Sequence, residues 1–415
     1  MKIGILTYHC VPNFGAQLQT LSTVCYLRNA GHEPVVLNWY PQNLENIYCG
    51  LPAEQLKEHD KFTKSYFPLS NMCRNEKELV EEIERLELDA ILLGSDALFK
   101  YIPLRCRWYL KMGKYRPGLV FEKVPCVEKL HRNPFFGGFL SKLNHRIPAT
   151  VYAVSAQNTF FEKMTPYEKR FMKSCMGNFN AITVRDTRTQ LMVESVMGEK
   201  DITIYPDPVF AFNHNIKDII PTKDEIQKKF GIKQDYVLLS FRTYVCSDEY
   251  INALSSCIRS KGLLPVALTM PEGVRNAGIE KIIPPPLSPI DWYALIKHAY
   301  GYVGERMHPI VVALHNSTPC FSFDEYGCGN SKQKILYPRP IEFQKEQSKI
   351  YHIVHEAGLD SNWCSLKNTE SIPSPENVIE KIITFDKEKC RLFSERQYMR
   401  YSEGMSRMMN VLANA

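Results

Sequence analysis

The first forty residues switch between two hydrophobic rhythms, and that alternation narrows the fold more than any other feature of the chain. Lys2 to Tyr8 is a short apolar run suited to a buried strand, Gly15 to Asn29 has the spacing of a helix stopped by Gly31, and Glu33 to Trp39 forms a second strand. Strand, helix and strand in this order make a parallel pair, because parallel neighbours need a crossover between them. The alternation returns further on. A charged helix (Lys77 to Leu86) feeds the apolar run Asp89 to Leu93, which ends at Gly94-Ser95-Asp96. After Ala149 to Ser155 comes the helix Pro166 to Met176, then the strand Ala181 to Val184 ending at Arg185-Asp186, the helix Thr187 to Met197, and the strand Ile202 to Tyr205 ending at Asp207-Pro208.

A polar stretch, 213–231, separates this series from a second one. Its strands are predicted at Tyr236 to Phe241, Leu264 to Leu268, Gly301 to Val303 and Pro319 to Phe323, with helices at Tyr250 to Lys261, Pro289 to Ala299 and Pro309 to Asn316. At 415 residues the chain is longer than one hydrophobic core usually serves. The expectation is an α/β protein of two doubly wound, Rossmann-like domains, 1–215 and 230–345, facing each other across a cleft. Residues 97–148, rich in aromatics and prolines, break the rhythm and read as an insertion or lid. Residues 346–415 are expected to be a helical tail packing back on the domains, ending in a long amphipathic helix, Phe385 to Leu412.

The apolar and charged fractions, 44% and 23%, are those of a folded globular chain. A net charge of +6 does not suggest general nucleic-acid binding. Thirteen cysteines without a CxxC pair read as reduced thiols. The opening apolar run is too short for a signal peptide, and no run approaches the ~18 residues of a membrane span, so a cytoplasmic protein is expected. Basic residues concentrate at 100–146 (Lys100, Arg105, Arg107, Lys111, Lys114, Arg116, Lys123, Lys129, Arg132, Lys142 and Arg146), either as a solvated face or as a contact for an anionic membrane or lipid diphosphate.

In open parallel sheets ligands bind beyond the carboxyl ends of the strands, where helix N-termini present free N–H groups. That rule selects Asn13 to Gly15, Gly94-Ser95-Asp96, Ser155 to Gln157, Arg185-Asp186, Asp207, and Glu305-Arg306-Met307-His308. Arg306 brings a planar fork for phosphate or carboxylate, His308 titrates near neutrality, and Pro309 suits the first turn of the helix they precede. A structural reading stands beside this one, with Arg306 paired to a carboxylate such as Glu305 and His308 capping a turn. Asn13-Phe14-Gly15-Ala16 lacks the GxGxxG pattern, which disfavours a dinucleotide, and its glycine admits either a ligand or the opposite domain. Asp96 can orient or deprotonate a hydroxyl, or cap the residues after it. Asp207 before Pro208 reads as structural. The eleven histidines include no HExxH and there is no acidic ligand loop, so neither a metal nor a bound cofactor is expected.

The ordered set Asn13-Phe14-Gly15-Ala16, Gly94-Ser95-Asp96, Asn133-Pro134-Phe135-Phe136, Tyr152-Ala153-Val154-Ser155, Val184-Arg185-Asp186, Asp207-Pro208 and Arg306-Met307-His308 resembles the polysaccharide pyruvyl transferase family over about residues 1–325. The resemblance implies a GT-B-like fold, phosphoenolpyruvate as co-substrate, and transfer of its pyruvate onto two hydroxyls of a sugar in a surface polysaccharide precursor. It further implies that Arg185 and Arg306 grip the donor, with His308 at the reacting centre and Asp96 near the acceptor; Asn13, Gly15, Ser95 and Met307 are expected to line the substrate site. A lipid-linked galactoside is the acceptor the family suggests. Ala97-Leu98-Phe99, Ser155-Ala156-Gln157 and Pro309 depart from the family's usual residues, and these departures bear mainly on the acceptor. The competing expectations are a GT-B glycosyltransferase using a sugar nucleotide and a non-catalytic saccharide-binding or scaffold protein of glycan assembly.

Overall fold

Five strands of the amino-terminal half pair only in parallel, in the order β2-β1-β3-β6-β7. These are β1 (Lys2–Leu6), β2 (Glu33–Val36), β3 (Ala90–Asp96), β6 (Ala149–Val154) and β7 (Ala181–Val184). A computed structural model describes residues 1–40, 48, 50–101, 106–109, 118–121, 133–157, 159–198, 202–216, 218–242, 245–325, 345–367 and 372–415. The second sheet, order β10-β9-β8-β11-β12-β13, is parallel as well. It comprises β8 (Tyr236–Ser240), β9 (Leu264–Leu268), β10 (Lys281–Ile283), β11 (Gly301–Gly304), β12 (Cys320–Asp324) and β13 (Trp363–Ser365). Every residue of β3, β6, β8, β11 and β12 is buried, as expected for strands covered by helices on both faces.

Strand order reverses between β1 and β3 in one sheet and between β8 and β11 in the other. Each reversal opens a crevice at the carboxyl ends of those strands. Helix α1 (Phe14–Asn29) leaves the first crevice, and α9 (Met307–His315) leaves the second.

The amino-terminal half further contains α2 (Ala53–Tyr66), α3 (Glu76–Leu86), α4 (Pro166–Met176) and α5 (Thr187–Met197). The carboxyl-terminal half contains α6 (Lys223–Phe230), α7 (Asp248–Ser260), α8 (Pro289–Lys297), α10 (Lys349–Glu356) and α11 (Pro375–Ile383), with α12 (Lys387–Ala413) closing the chain. Within the expected insertion, β4 (Cys106–Tyr109) and β5 (Gly118–Phe121) pair antiparallel. Apart from Lys100, Lys142, Arg146 and the backbone of that hairpin, the basic stretch lies outside the described residues.

Helix α1 joins the halves. It is buried over most of its surface, so its polar side chains bond internally: Gln17 Nε2 donates to the His59 carbonyl (2.9 Å) and to Thr63 Oγ1 (2.8 Å), and Ser22 Oγ to the Pro208 carbonyl (2.8 Å). Phe14 stacks on Trp292 of α8 at 5.1 Å, and one apolar core runs from Ile3 and Phe14 to Trp292 and Ile310.

Two expectations need correction. Residues 346–383 are not part of a tail, because β13 extends the second sheet beside β12 and α11 packs on α7; only α12 crosses back to β6. The strand expected at Ile202 to Tyr205 reduces to one bridge, Val184 to Ile204, because the chain turns into a 3-10 segment, Pro208–Ala211.

Candidate active site between the two sheets

Arg185 follows β7 and is 3% exposed. Its Nη1 donates to Asp207 Oδ2 at 2.6 Å, and its Nη2 lies 3.8 Å from Asp96 Oδ1 at the end of β3. Burial works against the guanidinium charge, yet Asp207, Asp96 and Asp186 together raise its pKa. Asp186 is otherwise engaged as the cap of α5, accepting from the Thr189 N–H (2.8 Å) and from Ser155 Oγ (2.7 Å).

Asp207 is the hub. Besides Arg185, it accepts from Gln19 Nε2 of α1 and from the Val209 N–H (3.0 Å), and its Oδ2 stands 3.9 Å from His308 Nε2. The carboxylate is thus bonded to the residue after the first-domain strand and lies beside the histidine of the second domain.

His308, in the first turn of α9, reaches across the interface and lies on Gly15. A Cβ at position 15 would stand 2.0 Å from His308 Cγ, so the glycine is required by the opposite domain's close approach. Burial pulls the His308 pKa down to about 4; Asp207 and Asp96 oppose this, while Arg185 and Lys349 act with it. The imidazole is therefore neutral at pH 7 in the free protein.

Arg306 occupies the N-cap position of α9 without capping it and forms an ion pair with Glu272. The expected alternative partner, Glu305, instead accepts from the Arg242 N–H at 2.9 Å. Burial, followed by the nearby charge of Arg242, pulls Arg306 to about 10. Among the described residues four buried nitrogens of this group have no hydrogen-bond partner: Nε and Nη2 of Arg185, Nε of Arg306 and Nε2 of His308. Unmet donors of this kind are costly in a fold and are usual where an anion binds.

The remaining sequence-selected residues fall into supporting positions. Asn13 caps α1, its Oδ1 accepting from the Ala16 N–H (3.2 Å). Ser95 is 1% exposed and its Oγ donates to the Ala153 carbonyl (2.5 Å). Met307 sends its side chain into the core, leaving its backbone at the start of α9. Asp96 accepts from the Ala97 N–H (2.7 Å) and has φ 99°. The neighbouring Ala153 has φ 46°, so irregular backbone gathers where β3 and β6 end.

Sequence reasoning missed Gln19, Lys349 and the central place of Asp207. Gln19 sits inside a helix, where the strand-end rule does not look. Lys349 is the first residue of α10, and burial together with Arg185 pulls its pKa down to about 8. The sequence signal for that helix is Ser348 ahead of Ile350, Ile353 and Val354.

A family model described as polysaccharide pyruvyl transferase matches residues 13–325. No curated protein matches in sequence. Among solved structures, UDP-GlcNAc 2-epimerase from Neisseria meningitidis bound to UDP-GlcNAc is similar with TM-score 0.54 and 10% identity, covering 100% of both chains. The N-terminal domain of Candida albicans trehalose-6-phosphate phosphatase is similar with TM-score 0.50 and 6% identity, covering 100% of this chain and 97% of that one. At such identities the likeness concerns the two-domain α/β fold alone.

Proposed function

The chain belongs to the polysaccharide pyruvyl transferase family, and from that premise we propose that it forms a pyruvate ketal on a sugar, with phosphoenolpyruvate as donor. The observation that carries the reading is the set of buried nitrogens without hydrogen-bond partners on Arg185, Arg306 and His308. Phosphoenolpyruvate brings up to about three negative charges on two groups, and guanidinium forks suit both carboxylate and phosphate.

The chemistry follows from these groups. The first sugar hydroxyl adds through oxygen to C2 while a proton reaches the C3 methylene, which becomes a methyl group. The C2–O bond to phosphate then breaks, phosphate departs, and the second hydroxyl closes the ketal. Of the two hydroxyl protons, one balances the new methyl group and the other leaves with phosphate. His308 is neutral in the free protein, and the anionic donor raises its proton affinity, so it carries the proton destined for C3. Asp96 orients the first hydroxyl and accepts its proton. Asp207 holds Arg185 and His308 in register. The donor lies on the α9 side and the saccharide on the β3 side. A lipid-linked galactoside is the acceptor in this reading. Among the described residues no helix is long and apolar enough to cross a membrane.

Incubation with phosphoenolpyruvate and a panel of glycosides, followed by mass spectrometry, tests the proposal: a product heavier by pyruvate less water is expected, together with free phosphate. Thermal stabilisation by UDP or GDP, with none by phosphoenolpyruvate, would replace this reading with that of a sugar-nucleotide enzyme.

A further inference from the structure

Gln19 sits one turn after Gly15 on α1, so the face of the helix that admits His308 also presents Gln19 to Asp207. The side chain is 1% exposed, and its Nε2 donates to Asp207 Oδ2. Its Oε1 is buried and has no hydrogen-bond partner among the described residues. Leaving an acceptor unmet in the interior costs stability, so the amide is held there by a single polar contact, the one at Asp207.

That contact completes a pattern at one oxygen. Asp207 Oδ2 receives Arg185 Nη1 at 2.6 Å as well as Gln19 Nε2, while Oδ1 receives the Val209 N–H at 3.0 Å. A carboxylate oxygen has two lone-pair sites, and both on Oδ2 are taken. His308 Nε2 faces the same oxygen from 3.9 Å, beyond the reach of a hydrogen bond, and is buried without another partner. The ring therefore feels the carboxylate's charge without being tied to it.

We propose that Gln19 is a positioning residue: by filling the second site on Asp207 Oδ2, its amide keeps the carboxylate from capturing His308 Nε2 and leaves that nitrogen to pass a proton to the substrate. The inference rests on the proposed function, in which His308 carries the proton destined for C3. The charged groups that bear on the ring are Asp207, Asp96 after β3, Arg185 after β7 and Lys349 of α10. Helix α1 carries no charge before Arg28, and Arg306 is paired with Glu272. Helices α8 and α12 bring Lys297 and Ser394 to His315, at the other end of α9. With Met at position 19, one site on Oδ2 opens to the ring. A direct N–H bond to a carboxylate stabilises the imidazolium, so His308 then holds its proton more tightly and becomes a weaker acid.

Nitrogen-15 NMR of the histidine-labelled protein tests this without substrate, the His308 signal being assigned by its loss in His308→Ala. In Gln19→Met the His308 titration is expected about 1–2 pH units higher than in wild type, as for one hydrogen bond to a charged group. A downfield Nε2 proton, the mark of a bond to the carboxylate, should appear in this variant and be absent from wild type. In pyruvyl transfer, kcat of Gln19→Met should fall by about 10-fold and the alkaline limb of its pH profile should rise by the same interval, with KM for phosphoenolpyruvate close to wild type. A packing defect alone would lower kcat without moving the limb. The urea midpoint serves as the folding control, and little change is expected because Met removes the unmet Oε1 together with the bond. Coincident His308 titrations in wild type and Gln19→Met would overturn the inference while leaving the proposed function standing. A downfield Nε2 proton already present in wild type would do the same, and that observation needs no variant to fold. A wild type that transfers no pyruvate would instead remove the functional reading, and the inference with it.

Discussion

At residue scale the site depends on one missing atom. Because a Cβ at position 15 would overlap the His308 ring, Gly15→Ala must displace the imidazole from its place beside Asp207. Displacement of a reacting group by about 1 Å can cost on the order of 100-fold in rate, and that loss is expected in steady-state turnover. The stability cost should be smaller, about 1–3 kcal/mol by denaturant titration, as for overpacking elsewhere. The double variant Gly15→Ala, His308→Ala should regain the stability without the activity, because the overlapping atoms are in the ring. His308→Ala alone should lower kcat by about 10²- to 10⁴-fold with phosphoenolpyruvate binding retained. Near-normal turnover of a folded His308→Ala protein would remove the histidine from the chemistry.

At the scale of elements, α1 and α8 decide whether the two halves hold together. Trp292 is fully buried and stacked on Phe14, so Trp292→Ala should cost about 3–5 kcal/mol in chemical denaturation. It should also weaken donor binding, since Phe14 adjoins Gly15; full stability in this variant would show that the interface core is held elsewhere. How much of this was legible in the sequence differs by element. The runs that became β3, β6, β7, β8 and β11 are short and largely apolar and end in or just before Gly, Ser, Asp or Arg, so both the strands and the groups at their ends could be read. Helix α1 was legible as a helix. Its partner was not, because a helix buried all round carries no apolar stripe to show which face meets which neighbour. Residues 346–383 read as tail from the sequence because β13 is three residues long and has no strand pattern of its own. Of the residues gathered round Arg185, those at strand ends were found. Gln19 and Lys349 were not, since only tertiary packing brings a mid-helix amide to Asp207 and a distant lysine near Arg185. Asp207 before Pro208 reads as structural from the sequence; it does cap the 3-10 segment, and the same carboxylate also serves Arg185.

For the whole molecule, histidines held neutral by burial, His59, His308 and His315 among them, make stability depend on pH in one direction. Burial lowers His59 and His308 to about 4 and His315 to about 3. At His315 the hydrogen bonds require the neutral ring: Nε2 accepts from the Asn213 N–H at 3.2 Å, and Nδ1 donates to Ser394 Oγ of α12 at 3.2 Å. A second proton on the ring would cost the Asn213 bond and place a charge near His214 and Lys297, which already oppose it. The unfolded chain binds protons on these rings below about pH 6.5, whereas the folded chain refuses them until the lowered values are reached. Their contribution is thus fully present above about pH 6.5 and is lost as pH falls toward 4, at up to about 1.4 kcal/mol per pH unit for each histidine. Carboxylates titrate over part of the same window, so the comparison must be internal. In His315→Gln, urea midpoints measured from pH 7 down to pH 4 should fall less steeply than in wild type, because one proton-linked site has been removed. Parallel slopes would mean that the ring charges within the fold, and that α12 docks without needing it neutral.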